Sequence, residues 1–337
     1  MVLAVERIGS GMITGHIAFA YALDGPERGR TLTSDAEISH ALHDPAPAWL
    51  HLEADHPETD PWIDEHLEWL DPSIRDALTD QYTRPRALRI GEGLLINLRG
   101  INLNAGEDPE DMISVRLYID SARIVSLSRR RLSSIEMLAE SVASGHGPNR
   151  AGALLAELIE NLTDRIEVQV ADLEDRADRL EEAAIATPED PALRSEVADQ
   201  RLELTELRRF TGPQKDAVRD AGRAKVAWLT EEDTNLIIEQ LDQLTRVTET
   251  LAATHEQLQT IRDEIEGARA ERLNKNLYVL SVISAIFLPL GFLTGLMGIN
   301  VGGMPGVNSP FAFWIFAGSL VVITGAAIWL MRRYKIF

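Results

Sequence analysis

Residues 277–297 read LYVLSVISAIFLPLGFLTGLM, 21 residues without a single charge. As a helix this run is ~31 Å long at about 1.5 Å per residue, enough to cross a hydrocarbon core of roughly 30 Å. A second uncharged run of 21 residues, Phe311–Met331, follows after a short uncharged link, residues 298–310. Buried helices of soluble proteins are seldom so long and so free of charge, so the pair reads as two membrane spans. Working outward, the only charges from Leu273 to Phe337 are Lys275, Arg332, Arg333 and Lys335. The first precedes span one and the others follow span two. The positive-inside rule then places both termini in the cytoplasm and the link outside. The opening MVLAVERIGSGMITG lacks an apolar core with basic flanks, so no cleaved targeting segment is expected. The expected location is the inner membrane.

The remaining residues are strongly acidic. The chain has 337 residues, with 33 Lys and Arg against 53 Asp and Glu, a net charge of −20. All 53 acids precede Leu273, so a mean hydropathy near zero hides a polar domain joined to an apolar tail. The absence of cysteine excludes disulfide scaffolds, thiolate metal centres and a Cys nucleophile. A chain this acidic has no surplus cations to displace counterions from nucleic acid. No phosphate loop or catalytic triad is visible, so neither nucleotide-driven pumping nor enzymatic activity is expected, and no cofactor.

Residues 1–148 alternate β-rich runs (HIAFAYAL, AWLHL, LLINLRGI, SVRLYI, RIVSLS) with the capped helical stretches SDAEISHAL and DPSIRDALTD. This predicts a mixed α/β domain. Residues 149–229 predict a helical pair, Arg150–Ala186 and Leu193–Arg209, the second ended by Thr211–Gly212–Pro213. From Thr230 no proline appears until Pro289, and residues 230–297 read as one helix of roughly 100 Å that continues into the first span, 277–297. The link 298–310, the second span 311–331 and a basic tail 332–337 complete the order.

Two faces of the long helix are legible. Leu244, Val247, Leu251, Leu258, Ile261, Ile265 and Ala268 recur at 3–4 spacing, interrupted by Thr254, and predict a packing seam. Nearly opposite, the first span offers Asn274, Ser281, Ser284, Gly291, Gly295 and Gly298, with Leu277 and Leu288 in the same register. Stepping back by sevens reaches Asp263, Glu256, Glu249 and Asp242. Copies arranged around an axis would make this face an acidic vestibule leading into a pore of small residues. The alternative is a solvated acidic face followed by a close helix-packing stripe.

Directly after the first span stands Gly298–Ile299–Asn300, then VGGMPG. A Gly-x-Asn triplet closing a long span near the C-terminus, followed by a short loop and a second span, resembles the CorA superfamily of divalent-cation channels and transporters. The magnesium branch carries Met at the middle position and usually an acid after the loop Met-Pro; here those residues are Ile299 and Gly306. FLPLGFLTGLMGINVGGMPG (287–306) is more similar to the zinc-transporting branch. Trp49–Leu50–His51–Leu52, Thr83–Arg84–Pro85–Arg86 with Gly91–Glu92–Gly93, and Val115–Arg116–Leu117–Tyr118 agree. The resemblance implies a homopentamer in the bilayer with an αβα cytoplasmic funnel. It implies a pore lined by Asn274, Leu277, Ser281, Ser284, Leu288, Gly291 and Gly295, and an entrance filter of Gly298, Ile299 and Asn300. The implied activity is Zn²⁺ uptake coupled to protons. A helix C-cap is the other reading of Gly298 and Asn300.

No carboxylate, His or Cys lies in or between the spans, so an ion would pass at least partly hydrated, its water held by Asn300 carbonyls. Zn²⁺ prefers N and S donors, and a proton relay normally uses Asp, Glu or His; neither is offered there. His255 beside Glu256 is the candidate proton site outside the spans, and acidic rings at Glu249, Glu256 or Asp263 are candidate metal sensors. His51, Glu53, Asp55 and His56 in WLHLEADH form a candidate cytoplasmic metal site, since a strand places the first three on one side. Two other functions stand beside zinc uptake. One is a channel for Mg²⁺, Co²⁺ or Ni²⁺ driven by membrane potential; the other is a membrane-anchored coiled-coil sensor or scaffold.

Overall fold

The computed structural model describes residues 15–81, 84–188, 190–299, 304, 306 and 308–334. The opening segment up to residue 14, Thr83, Asn300, Pro305 and Lys335 lie outside the described residues. The chain forms two compact units, Met1–Arg262 and Asp263–Phe337.

In the first unit, β-branched and apolar runs form a six-stranded mixed sheet. Its strands are β1 (Ile17–Ala22), β2 (Ala48–Glu53), β3 (Arg86–Ile90), β4 (Gly93–Gly100), β5 (Ile113–Ile119) and β6 (Arg123–Ser128), in the order β1-β2-β6-β5-β4-β3. Only β2 and β6 run parallel; the other pairs are antiparallel. Helices α1 (Asp35–His43), α2 (Thr59–His66) and α3 (Pro72–Thr79) cover one face. Ile38, Leu42, Trp62, Ile63, Ile74 and Leu78 there join Leu50, Leu52, Val125 and Leu127 of the sheet in one core. α4 (Ser133–Ala143), α5 (Ala151–Ala186) and α6 (Pro191–Gly222) belong to the other side. A Cβ on Gly100 would strike Leu132 and Leu162, which shows how closely this layer meets the sheet. The unit is therefore the expected αβα sandwich, with β3, α2 and α4 in addition to the elements expected.

The expected stop at Thr211–Gly212–Pro213 is not observed: α6 runs through Pro213 to Gly222. The missing proline N–H is outweighed by tertiary anchoring. β3 begins at Arg86 opposite Asn97 and leaves Arg99 of β4 beyond its reach. The buried Gln214 amide completes that ladder, accepting from Arg99 N at 2.7 Å and donating to Arg99 O at 2.8 Å. Buried backbone groups need such partners, and Gln214 can supply them only if the helix continues past the proline.

α7 (Glu231–Met297) is one continuous helix. Its start is fixed from two directions. The β3–β4 turn, with Gly91 at φ +61°, receives Trp228 Nε1–H on the Glu92 carbonyl at 2.7 Å, and Arg89 donates to the Lys225 carbonyl at 2.9 Å. Thr230 and Asp233 then form a reciprocal cap. Thr230 N and Oγ1 donate to Asp233 Oδ2 at 3.0 and 2.7 Å, and Asp233 N donates to Thr230 Oγ1 at 3.2 Å. Further along, Gln243 donates to Asp164 and Glu167, and Gln257, two heptads on, donates to Asp178 and Glu181. The constant offset shows α5 and α7 packed in parallel. α8 (Ala312–Arg333) is the second apolar helix.

Candidate ion pathway and metal ligands

The two faces foreseen on α7 separate in the structure. Leu244, Val247, Leu251, Thr254, Leu258, Ile261 and Ile265 are buried, whereas Asp242, Glu249, Glu256 and Asp263 are all exposed. The acids thus lie on the exposed side of the helix, away from the buried seam. His255 is half-buried between α6 and α7. Burial first, then the neighbouring guanidinium groups of Arg208 and Arg201, push its pKa down against the opposing pull of Glu256.

In the second unit, α7 and α8 are each long and apolar enough to cross a membrane. Their large side chains point outward: Leu288 is 77% exposed and Trp314 72%. Apolar surface this continuous does not face water; it belongs against lipid or other copies. Asn274, Leu277, Ser281, Ser284, Leu288, Gly291 and Gly295 recur at helical spacing along α7, Gly298 follows directly after its last residue, and all are exposed. Ser281 Oγ donates to the Leu277 carbonyl at 2.8 Å, which satisfies the hydroxyl within the helix. A Cβ at Gly291 or Gly295 would meet nothing, so their smallness answers no need inside one chain.

Gly298 donates its N–H to the Thr294 and Gly295 carbonyls, both at 3.1 Å. Its φ is not among the positive values found at Gly25, Gly29, Gly91, Gly106, Gly145 and Gly306. The left-handed cap does not account for this glycine. Ile299 follows half-exposed; Asn300, the third member of the triplet, lies outside the described residues.

The structure does not bring His51, Glu53, Asp55 and His56 together as metal ligands. β2 ends at Glu53, so strand alternation does not reach Asp55, which pairs with Arg129 at 3.1 Å. His51 is buried, its Nδ1 2.8 Å from Ser126 Oγ and its Nε2 3.1 Å from Ser128 Oγ. Burial lowers its pKa to about 3, so the ring is neutral and both nitrogens are engaged. Because the folded state refuses a proton that the unfolded chain accepts near pH ~6.5, His51 contributes destabilisation as pH falls from that value towards 3. A His51→Gln variant is expected to flatten this part of the acid limb in a melting-temperature scan of the detergent-solubilised protein.

Among the described residues another group of ligand atoms does converge: those of His16, His56 and Glu58 all lie within 4.8 Å of one another. His16 was missed because its proximity depends on the antiparallel pairing of β1 with β2, where Glu53 N donates to the His16 carbonyl at 2.9 Å.

Comparison with known proteins agrees with this architecture. The family described as "CorA-like Mg2+ transporter protein" matches residues 45–333. The chain belongs to the CorA family. It is 35% identical to the zinc transport protein ZntB of Pectobacterium atrosepticum over 316 residues, covering 94% of each chain. It is 33% identical to the divalent cation transporter CmaX of Pseudomonas aeruginosa, covering 95% of this chain and 96% of that one. The solved structure of full-length CmaX superposes with a TM-score of 0.81 over 95% of this chain and 98% of the other, at 33% identity. The CorA magnesium transporter of Methanocaldococcus jannaschii shares the fold, with a TM-score of 0.72 at 18% identity over 86% of this chain and 90% of that one. The expected superfamily and its ZntB branch are thereby borne out, and the CorA-type chain is a membrane metal-ion transporter rather than an enzyme.

Proposed function

We propose that the chain takes up Zn²⁺ across the inner membrane through a central pore formed by five copies, coupled to inward proton movement. The acidic unit and both termini lie in the cytoplasm. The triplet Gly298–Ile299–Asn300 forms the outer entrance, Asn274 to Gly295 line the conduit, and the line from Asp263 back to Asp242 borders the vestibule below. The observation that carries this reading is the exposed line of small and polar residues on α7, ending at a glycine that no intrachain contact or left-handed backbone requires. Such a line suits a lumen or close approach between copies, and ZntB at 35% identity supports zinc as the cargo.

A second reading, a less selective divalent-cation channel driven by membrane potential, is favoured by the likeness to CmaX. It is also favoured by the lack of His or Cys from Leu273 onward, since hydrated entry discriminates weakly among divalent ions. Flux into proteoliposomes loaded with a zinc dye separates the two. Zinc entry accelerated by an inward proton gradient is expected. Mg²⁺ entry that follows potential and ignores pH would overturn proton-coupled zinc uptake in favour of the channel.

A further inference from the structure

We infer that the αβα unit binds a first-row transition-metal dication, zinc foremost, through His16, His56 and Glu58, at a site separate from the transport pathway. All three residues belong to the first unit. His16 enters β1 and is 5% exposed. His56 and Glu58 stand in the β2–α2 connection, Glu58 being the residue that precedes α2.

The geometry is close to what a metal requires. His16 Nδ1 already lies 3.5 Å from Glu58 Oε2, and four ligands at about 2.0–2.1 Å from a tetrahedral zinc are ~3.3 Å apart. The ring centroids of His16 and His56 are 5.8 Å apart, and His16 also lies 5.9 Å from Trp62. Closing the triad from 4.8 Å therefore needs a shift of about 1.5 Å, which the two less buried members, His56 and Glu58, can share. Glu58 has a side chain 70% exposed, while the fixed member, His16, is buried. Gly15 is part of the site: a Cβ there would stand 2.9 Å from His56 Nε2. Glu58 N donates to His56 Nδ1 at a long 3.3 Å, a bond weak enough to give up when the ring turns its lone pair to a metal.

The donor set selects the ion. Two imidazoles and one carboxylate suit Zn²⁺, Co²⁺ or Ni²⁺, whereas Mg²⁺ takes oxygen ligands in octahedral array. Three protein ligands leave a position for water, the arrangement of an exchangeable rather than a structural site. No comparable set of nitrogen donors exists from Leu273 onward, so this is where the described chain offers zinc its preferred chemistry. The inference stands whichever ion the pore passes.

Equilibrium dialysis of the full-length, detergent-solubilised protein against Zn²⁺ in excess Mg²⁺, with bound metal counted per chain, tests it. Wild type is expected to hold one zinc per chain more than His56→Gln. Glu58→Gln is expected to weaken that ion by more than the roughly 10-fold lost when only a ligand's outer partner is removed. Co²⁺ loading should give visible ligand-field bands that disappear in both variants. Because His16 is buried and its replacement risks the fold, the two more accessible positions carry the test. Equal zinc per chain in wild type and both variants, at every concentration, would overturn the inference. Proteoliposome flux is a separate readout, so failure here leaves the transport proposal standing, and the reverse.

Discussion

Arg150→Met is expected to destabilise the protein by about 3 kcal/mol at neutral pH, the low end of the cost of stranding a buried charge. Asp233 is 1% exposed in its side chain, and Arg150 meets it with two parallel bonds, at 2.8 and 3.1 Å. Burial pushes the Asp233 carboxyl up, but the bonds from Arg150 and Thr230 outweigh it and hold the carboxyl below its ordinary value. A depressed carboxyl stabilises the fold above the unfolded-state value near pH ~3.9 and loses that contribution as pH falls through the folded one. Without Arg150 only the two Thr230 bonds are left to oppose burial, so the carboxyl rises from its wild-type position. The variant should therefore lie furthest below wild type at neutral pH and approach it only as acidification protonates the carboxyl in both proteins. For a unit of this size the neutral-pH gap is roughly 6–12 °C in melting temperature. Asp233→Asn should cost less, because Arg150 is 40% exposed and returns to water. In Arg150→Met/Asp233→Asn the losses should be less than additive. A gap independent of pH would mean that the carboxylate is not the group left unpaired.

This pair shows where sequence reading succeeded and where it stopped. Thr230 with Glu and Asp behind it is a local signal, and it located the start of α7 to within a residue. The heptad seam and the acidic line were legible for the same reason, since helical period alone sorts residues 242–268 into buried and exposed sets. The partner of Asp233 was not legible. Arg150 lies 83 positions away, and a Cβ on Gly152 would run into the same carboxylate. Only the packing of α5 beside α7 brings them together.

The same limit explains the errors. Pro213 is a local stop signal, overridden by the Gln214–Arg99 ladder across 115 positions. β3 is an edge strand whose residues are half or fully exposed, so it lacks the apolar alternation that marked the other strands. In the metal cluster, alternation along β2 correctly grouped His51 with Glu53 but could not show that Ser126 and Ser128 on the parallel neighbour β6 would occupy the imidazole. His56 was named for its neighbours in sequence; its partner in space, His16, comes from the strand paired alongside. The membrane unit was legible because hydrophobic thickness is a one-dimensional requirement, met by 21 uncharged residues whatever packs around them.

Asn300→Ala is expected to reduce ion entry by roughly 10- to 100-fold, the rate equivalent of losing a hydrogen bond to a charged group worth about 1.5–3 kcal/mol. The argument rests on what the entrance can offer a hydrated dication. From Leu273 to Phe337 there is no Asp, Glu, His or Cys, so the negative ends of dipoles are the available attraction. Within the proposed entrance triplet Asn300 alone has a side-chain carbonyl, repeated in each copy around the axis; Ile299 contributes none and Gly298 only backbone. Alanine keeps the size small and the loop uncharged, so the pore stays open in dimension while the water shell loses its partners. Asn308→Ala, in the same loop but outside the triplet, serves as the matched control and should retain wild-type flux in proteoliposomes. Asn300→Asp separates electrostatics from geometry. A ring of carboxylates binds the dication more tightly and slows its release, so entry at low external zinc should rise while the maximal rate falls. If Asn300→Ala passes zinc at the wild-type rate, the triplet is not the entrance, and the small-residue line on α7 serves helix packing.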